Sequence, residues 1–100
     1  MRCVTDFGTY DVIAYKHRYY DNNNLAVELI TRDREPFARL TVNLGPKLRR
    51  DHAFVDTNNC PWAPQFLQEH NLAKPVGAVG HSGFCDYPLY KFDLSKLEEY

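Results

Sequence analysis

The chain has 100 residues, the size of one domain, because single cores take about 50–200 residues and two do not fit here. With 44% hydrophobic and 25% charged residues, the composition excludes a disordered chain. The net charge of −1 hides an asymmetry, since residues 1–50 carry nine Lys/Arg against six Asp/Glu and residues 51–100 carry three against seven. That balance excludes a uniformly basic nucleic-acid binder but leaves room for one basic or one acidic face.

In chain order, residues 10–20 are rich in aromatic and branched side chains, and Ile13, Tyr15 and Tyr19 share a face at period two. Asp21-Asn22-Asn23-Asn24 supplies a turn. Leu25, Val27 and Leu29 then alternate with Ala26, Glu28 and Ile30. After the turn at residues 31–36, a third strand runs from Phe37 to Leu44 with Ala38, Leu40, Val42 and Leu44 on one side. Connections this short impose an antiparallel meander. Gly45-Pro46 ends the third strand, and a charged connector leads to a short buried strand at Ala53-Phe54-Val55. Asn58 or Asn59 can cap a helix over about residues 61–71, where Trp62, Ala63, Phe66, Leu67 and His70 recur at helical spacing and Asn71 offers an end. Residues 74–83 are too glycine-rich for a regular strand interior and are expected to form a tight or bulged connection. A last strand follows over residues 87–93, with Tyr90, Phe92 and Leu94 on one face, and Ser95-Lys96-Leu97-Glu98 has room for one helical turn. The expected fold is α+β: a mainly antiparallel sheet of four to five strands with one main helix packed on one face.

No apolar run approaches the roughly 18 residues of a membrane span. The start, MRCVTDFGTY, lacks the charged and apolar regions of a signal peptide, so the cytoplasm is the expected address. Cys3, Cys60 and Cys85 are then expected as reduced thiols. Gly77, Gly80 and Gly83 fit neither the dinucleotide fingerprint nor the P-loop. His81 and Cys85 lie four residues apart without a recognisable nucleophile signature, and no CxxC or HxxxH pair marks a metal site. No catalytic residue, metal ligand or cofactor is therefore assigned, and a monomeric binding module is expected rather than an enzyme. The basic residues Arg32, Arg34, Arg39, Lys47, Arg49 and Arg50, near Tyr19 and Tyr20, form a candidate DNA- or RNA-binding face. The acidic second half could instead meet a basic groove on a protein.

The segments Thr9–Ile30, Glu35–Leu44, Phe54–Gly77 and Ser82–Leu94 resemble a family of small mobile-element proteins of unassigned function that includes a type II anti-CRISPR protein. The motifs around residues 56–61 and 82–90 are the most specific parts of that resemblance. It implies an inhibitor that binds the RNA-guided nuclease of type II CRISPR systems stoichiometrically and blocks DNA recognition or cleavage. A chain of this size can present about 800 Å² to a partner, enough for a specific interface. Aromatic side chains with polar tips near charges are the expected anchors. They are Tyr19 and Tyr20 beside the first turn, and Phe84, Asp86 and Tyr87 in the glycine-flanked loop. The alternative is an accessory protein that binds DNA or RNA through the Arg-rich first half.

Overall fold

The structure, a computed structural model, describes residues 1–100. Strands take up 52% of the chain and helical turns 10%, so sheets set the architecture. Two sheets enclose the core. The first joins β1 (Arg2–Thr5), β2 (Gly8–Arg18), β3 (Leu25–Thr31) and β4 (Pro36–Arg39) in that order, all antiparallel. The second has the order β5 (Thr41–Val42), β6 (His52–Val55), β8 (Cys85–Phe92), β7 (Ala73–Ser82), again antiparallel. One helix, α1 (Ala63–Glu69), bridges β6 and β7 in sequence. The α+β class and the β2–β3–β4 meander are as expected from the sequence.

Several local expectations are corrected. The third strand is broken at Leu40, which is fully buried. Its N–H bonds the Val27 carbonyl of the first sheet, and its carbonyl accepts the Asp56 N–H at the end of β6. Leu40 therefore hands the chain from one sheet to the other, and residues 38–44 do not share a single face. In β2 the fully buried side chains are Val12 and Ala14. The Ile13 and Tyr15 side is only half-buried. Glu98–Glu99 forms β9, which pairs parallel with β2 through Tyr15↔Glu98 and Lys16↔Glu99. No local pattern in the sequence points to that pairing.

The helix is shorter than the spacing predicts, and neither Asn58 nor Asn59 caps it. Asp56 Oδ1 accepts the Asn59 N–H at 3.1 Å and Oδ2 accepts the Asn59 side-chain amide at 2.9 Å, which closes a separate turn upstream. Trp62 becomes the N-cap without a side-chain bond, and Pro64 sits in the first turn, where its missing N–H costs nothing. The end is where Asn71 suggests. Asn71 adopts φ +53°, and the Leu72 and Asn71 N–H groups bond the carbonyls of Leu67 and Gln68, a Schellman closure. Ala63, Phe66 and Leu67 face the core. The last helical turn is a 3₁₀ turn, Leu94–Lys96, capped by Asp93 rather than opened by Ser95.

Residues 74–82 belong to a strand, bulged as the glycines suggest. β7 runs through them because the extra residues are absorbed in a bulge between Pro75 and Val79, with Gly77 at φ +86°. Gly77 and Gly80 thus lie within an irregular strand, and Gly83 in the turn that follows it.

Candidate partner-binding surfaces

β7 and β8 make a long hairpin whose base is buried through Ala73, Tyr90 and Phe92. β6 pairs with β8 only at residues 89–91, opposite His52–Phe54. Beyond Leu89 the hairpin continues as a two-stranded ribbon with the register Val79↔Pro88, Gly80↔Tyr87, His81↔Asp86 and Ser82↔Cys85. The loop between Ser82 and Cys85 has two residues, and Gly83 takes φ +61°, as the first position of a type II′ hairpin turn requires. That geometry puts Phe84 at the tip, where its ring is fully exposed. Val76 and Val79 add exposed apolar surface along β7. β7 is also the sheet edge, so one row of its backbone groups has no neighbouring strand.

The register decides what His81 and Cys85 can do together. Opposed residues share a face and neighbours alternate, so His81 lies with Asp86, to which its Nδ1 is hydrogen-bonded, while Cys85 lies with Ser82 on the other face. Imidazole and thiol therefore point away from each other. The Cys85 thiol instead neighbours the Tyr87 hydroxyl, which that contact pushes above the ordinary phenol range. Cys3 and Cys60 are buried. Burial raises both thiols to about 11, helped at Cys60 by Asp56 and at Cys3 by Cys60. Both stay protonated at neutral pH.

The expected anchors separate into two groups. Phe84 and Asp86 stand exposed on the ribbon, and Tyr87 is half-buried on the face that carries Gly80. Tyr20 is fully exposed on the β2–β3 turn. Tyr19 is engaged within the fold. Its hydroxyl is bonded to the carbonyl and Oγ1 of Thr41 at 3.2 and 3.0 Å, and the Arg39 guanidinium lies 5.7 Å over its ring. The two groups flank one segment, since Asn43 is bonded to Asn22 of the turn and Leu44 lies against Gly80 of the ribbon.

The basic residues separate as well. Arg32 is bonded to Asp11, and Arg39 lies 3.8 Å from Glu28. Arg34 sits in the β3–β4 turn at φ +67°. Lys47 and Arg50 line a depression of about 390 Å³ with Arg18, Asn23 and Leu48, and Arg49 is their chain neighbour. Sequence reasoning misses Arg18 because its partner, the Arg50 carbonyl, is 32 residues away. A second missed feature is Phe7, almost wholly exposed at the β1–β2 tip. With Tyr10, Phe37 and Trp62 it lines an aromatic depression of about 230 Å³.

No helix is long and apolar enough to cross a membrane. No curated protein and no solved structure matches the chain. Residues 11–100, which include both surfaces, match the family described as a domain of unknown function, DUF4313. The match spans nine-tenths of the chain, from β2 to its last residue, and the chain belongs to that family.

Proposed function

We propose that this chain acts by occupancy rather than turnover, as an anti-CRISPR-like protein that binds the RNA-guided nuclease of type II CRISPR systems and blocks its DNA recognition or cleavage. The observation that supports a binding role is the ribbon beyond Leu89, which ends in a fully exposed Phe84 and carries exposed Val76 and Val79. Exposed apolar side chains on a projecting element are costly in water unless a partner covers them. Asp86 beside them supplies a charge that can meet a basic surface. The choice of partner rests on the resemblance carried by residues 56–61 and 82–90.

The test is a titration of purified protein against guide-loaded nuclease, read as DNA cleavage. Inhibition should saturate near an equimolar ratio. Phe84→Asp, at an exposed tip, should weaken it at least tenfold without shifting the melting temperature, as expected for a central anchor worth about 2 kcal/mol or more. Tyr20→Ala combined with Tyr87→Ala should weaken it as well. Inactivation of excess nuclease by trace protein would show turnover and defeat the proposal, and so would the absence of any inhibition at tenfold excess.

A further inference from the structure

We infer that the depression formed by Arg18, Lys47 and Arg50 binds the phosphates of a single-stranded nucleic acid, with Tyr20 as a stacking platform for a base. This goes beyond the protein-binding role and stands on cations that role does not use, with Tyr20 alone shared between the two.

The site is assembled from two distant segments. The end of β2 brings Arg18, and the 45–50 connector brings Lys47 and Arg50. Asparagines of the β2–β3 turn hold the connector in place. Asn24, buried to 4% exposure, donates to the Pro46 carbonyl at 2.8 Å and accepts the Leu48 N–H at 2.9 Å. Asn22 donates to the Gly45 carbonyl at 3.0 Å. A buried amide with both ends satisfied fixes a loop far better than exposed polar contacts do. The connector's conformation is thereby set, and its cations are set with it.

Those cations are oriented by carbonyls instead of being neutralised by acids. Arg18 Nη1 donates to the Arg50 carbonyl at 2.8 Å, and Lys47 Nζ donates to the Asn22 carbonyl at 2.8 Å. No carboxylate lines the depression. Glu99, which acts on Arg18, pairs with Lys16 at 3.4 Å, and Asp21 and Asp51, close by in sequence, are bonded to Asn43 at 3.0 Å and His52 at 2.7 Å. Burial and the neighbouring Arg50 both oppose the charge on Arg18, and Glu99 only partly favours it. Three like charges drawn around one concavity repel one another, and an anion between them removes that repulsion. Arg and Lys donors suit phosphate oxygens.

The choice of a single strand comes from Tyr20. Its ring is fully exposed on the same turn that holds the connector, and a base unpaired from its complement offers a free face to stack on it. A duplex keeps its bases stacked and would use the cations alone.

The experiment is fluorescence anisotropy of the full chain with labelled 20-nucleotide single strands, a duplex of the same sequence and inorganic polyphosphate. Three phosphate contacts to a single strand give a log–log salt slope of about −2, so affinity should fall roughly 20-fold between 50 and 200 mM salt. Lys47→Ala with Arg50→Ala leaves both backbone carbonyls in place and should lower affinity at least tenfold while flattening the slope. Tyr20→Ala should lower affinity for the single strand. Arg32→Ala, on the far hairpin and paired with Asp11, should change nothing. The inference is overturned by no binding at 50 mM salt, by binding that survives the Lys47/Arg50 double variant, or by an equal loss in Arg32→Ala. It is also overturned if polyphosphate or the duplex binds as tightly as the single strand. None of these readouts involves a nuclease, so failure here leaves the inhibitor reading standing.

Discussion

His17 Nε2 is a buried side-chain atom with no hydrogen-bond partner. The ring packs 5.2 Å from that of Tyr100. Burial holds its pKa below the ordinary 6.5, Arg39 lowers it further, and Glu28 opposes the shift. An imidazole that resists protonation in the fold takes up its proton more readily when unfolded. Between the depressed value and about 6.5 the unfolded chain binds more protons, so stability rises with pH through that window and is lost as pH falls below about 6.5. The urea midpoint is therefore expected to drop between about pH 7.5 and 5.5, and His17→Phe, which keeps the ring stack, should flatten that drop. The carboxylates of Asp11, Asp51 and Asp93 are held below 3.8 by hydrogen bonds from the N-terminal amine and Arg32, from His52 and from Ser95. Their contribution is present above that value and disappears only at more acid pH, so it does not overlap the His17 window. An unchanged midpoint across the window would refute the assignment to His17.

At the scale of the element, Gly80 explains how the ribbon is anchored. A Cβ there would lie 2.6 Å from Leu44 Cδ1 and 2.7 Å from Phe54 Cε1. The glycine is needed for close approach, not for an unusual backbone angle. Gly80→Ala should destabilise by about 1–3 kcal/mol, as overpacking does, and Leu44→Ala in the same chain should recover part of that loss because the two sites share one contact. Strict additivity in urea denaturation of the single and double variants would rule the contact out. The elements differ in how far the sequence foretells them. Helix α1 is legible because Ala63, Phe66 and Leu67 follow the helical period, and its end because Asn71 tolerates the left-handed region. The cap is not legible, since several polar residues compete upstream and only the folded turn gives Asn59 to Asp56. The broken strand at Leu40 is hidden for a similar reason. An alternating pattern states which residues are apolar, not which of two sheets will hold them.

Across the whole molecule, β9 fastens the C-terminal segment to the middle of β2. Besides its two parallel pairs it brings Lys16 to Glu99, and the Tyr100 ring meets Tyr15 edge-on at 5.9 Å. Removing residues 98–100 should lower stability by about 1–2 kcal/mol, the sum of a few backbone bonds and an aromatic contact. The same truncation uncovers His17, so its acid sensitivity should shrink together with the stability. A truncated chain with unaltered melting temperature would mean that the segment does not hold the sheet.

The candidate surfaces divide in the same manner between local and distant causes. Phe84 in a tight turn follows from its own neighbour, because Gly83 allows that turn, while the strand before it is hidden by its glycines and shows only in the pairing of β7 with β8. The class of the fold is likewise set by local alternation, short turns and one helical stretch. The cationic depression is different. Sequence groups Arg32, Arg34 and Arg39 with Lys47, Arg49 and Arg50 because they are close along the chain. Folding pairs Arg32 and Arg39 with Asp11 and Glu28 and replaces them with Arg18 beside Lys47 and Arg50. Charge neighbours in space are chosen by sheet register and by the asparagine-bound connector, and both are long-range. Strand alternation, turn chemistry and helical period act within a few residues and can be read from the chain. Which sheet receives Leu40, which edge receives β9 and which cations share a hollow depend on contacts tens of residues apart, and only the tertiary structure decides them.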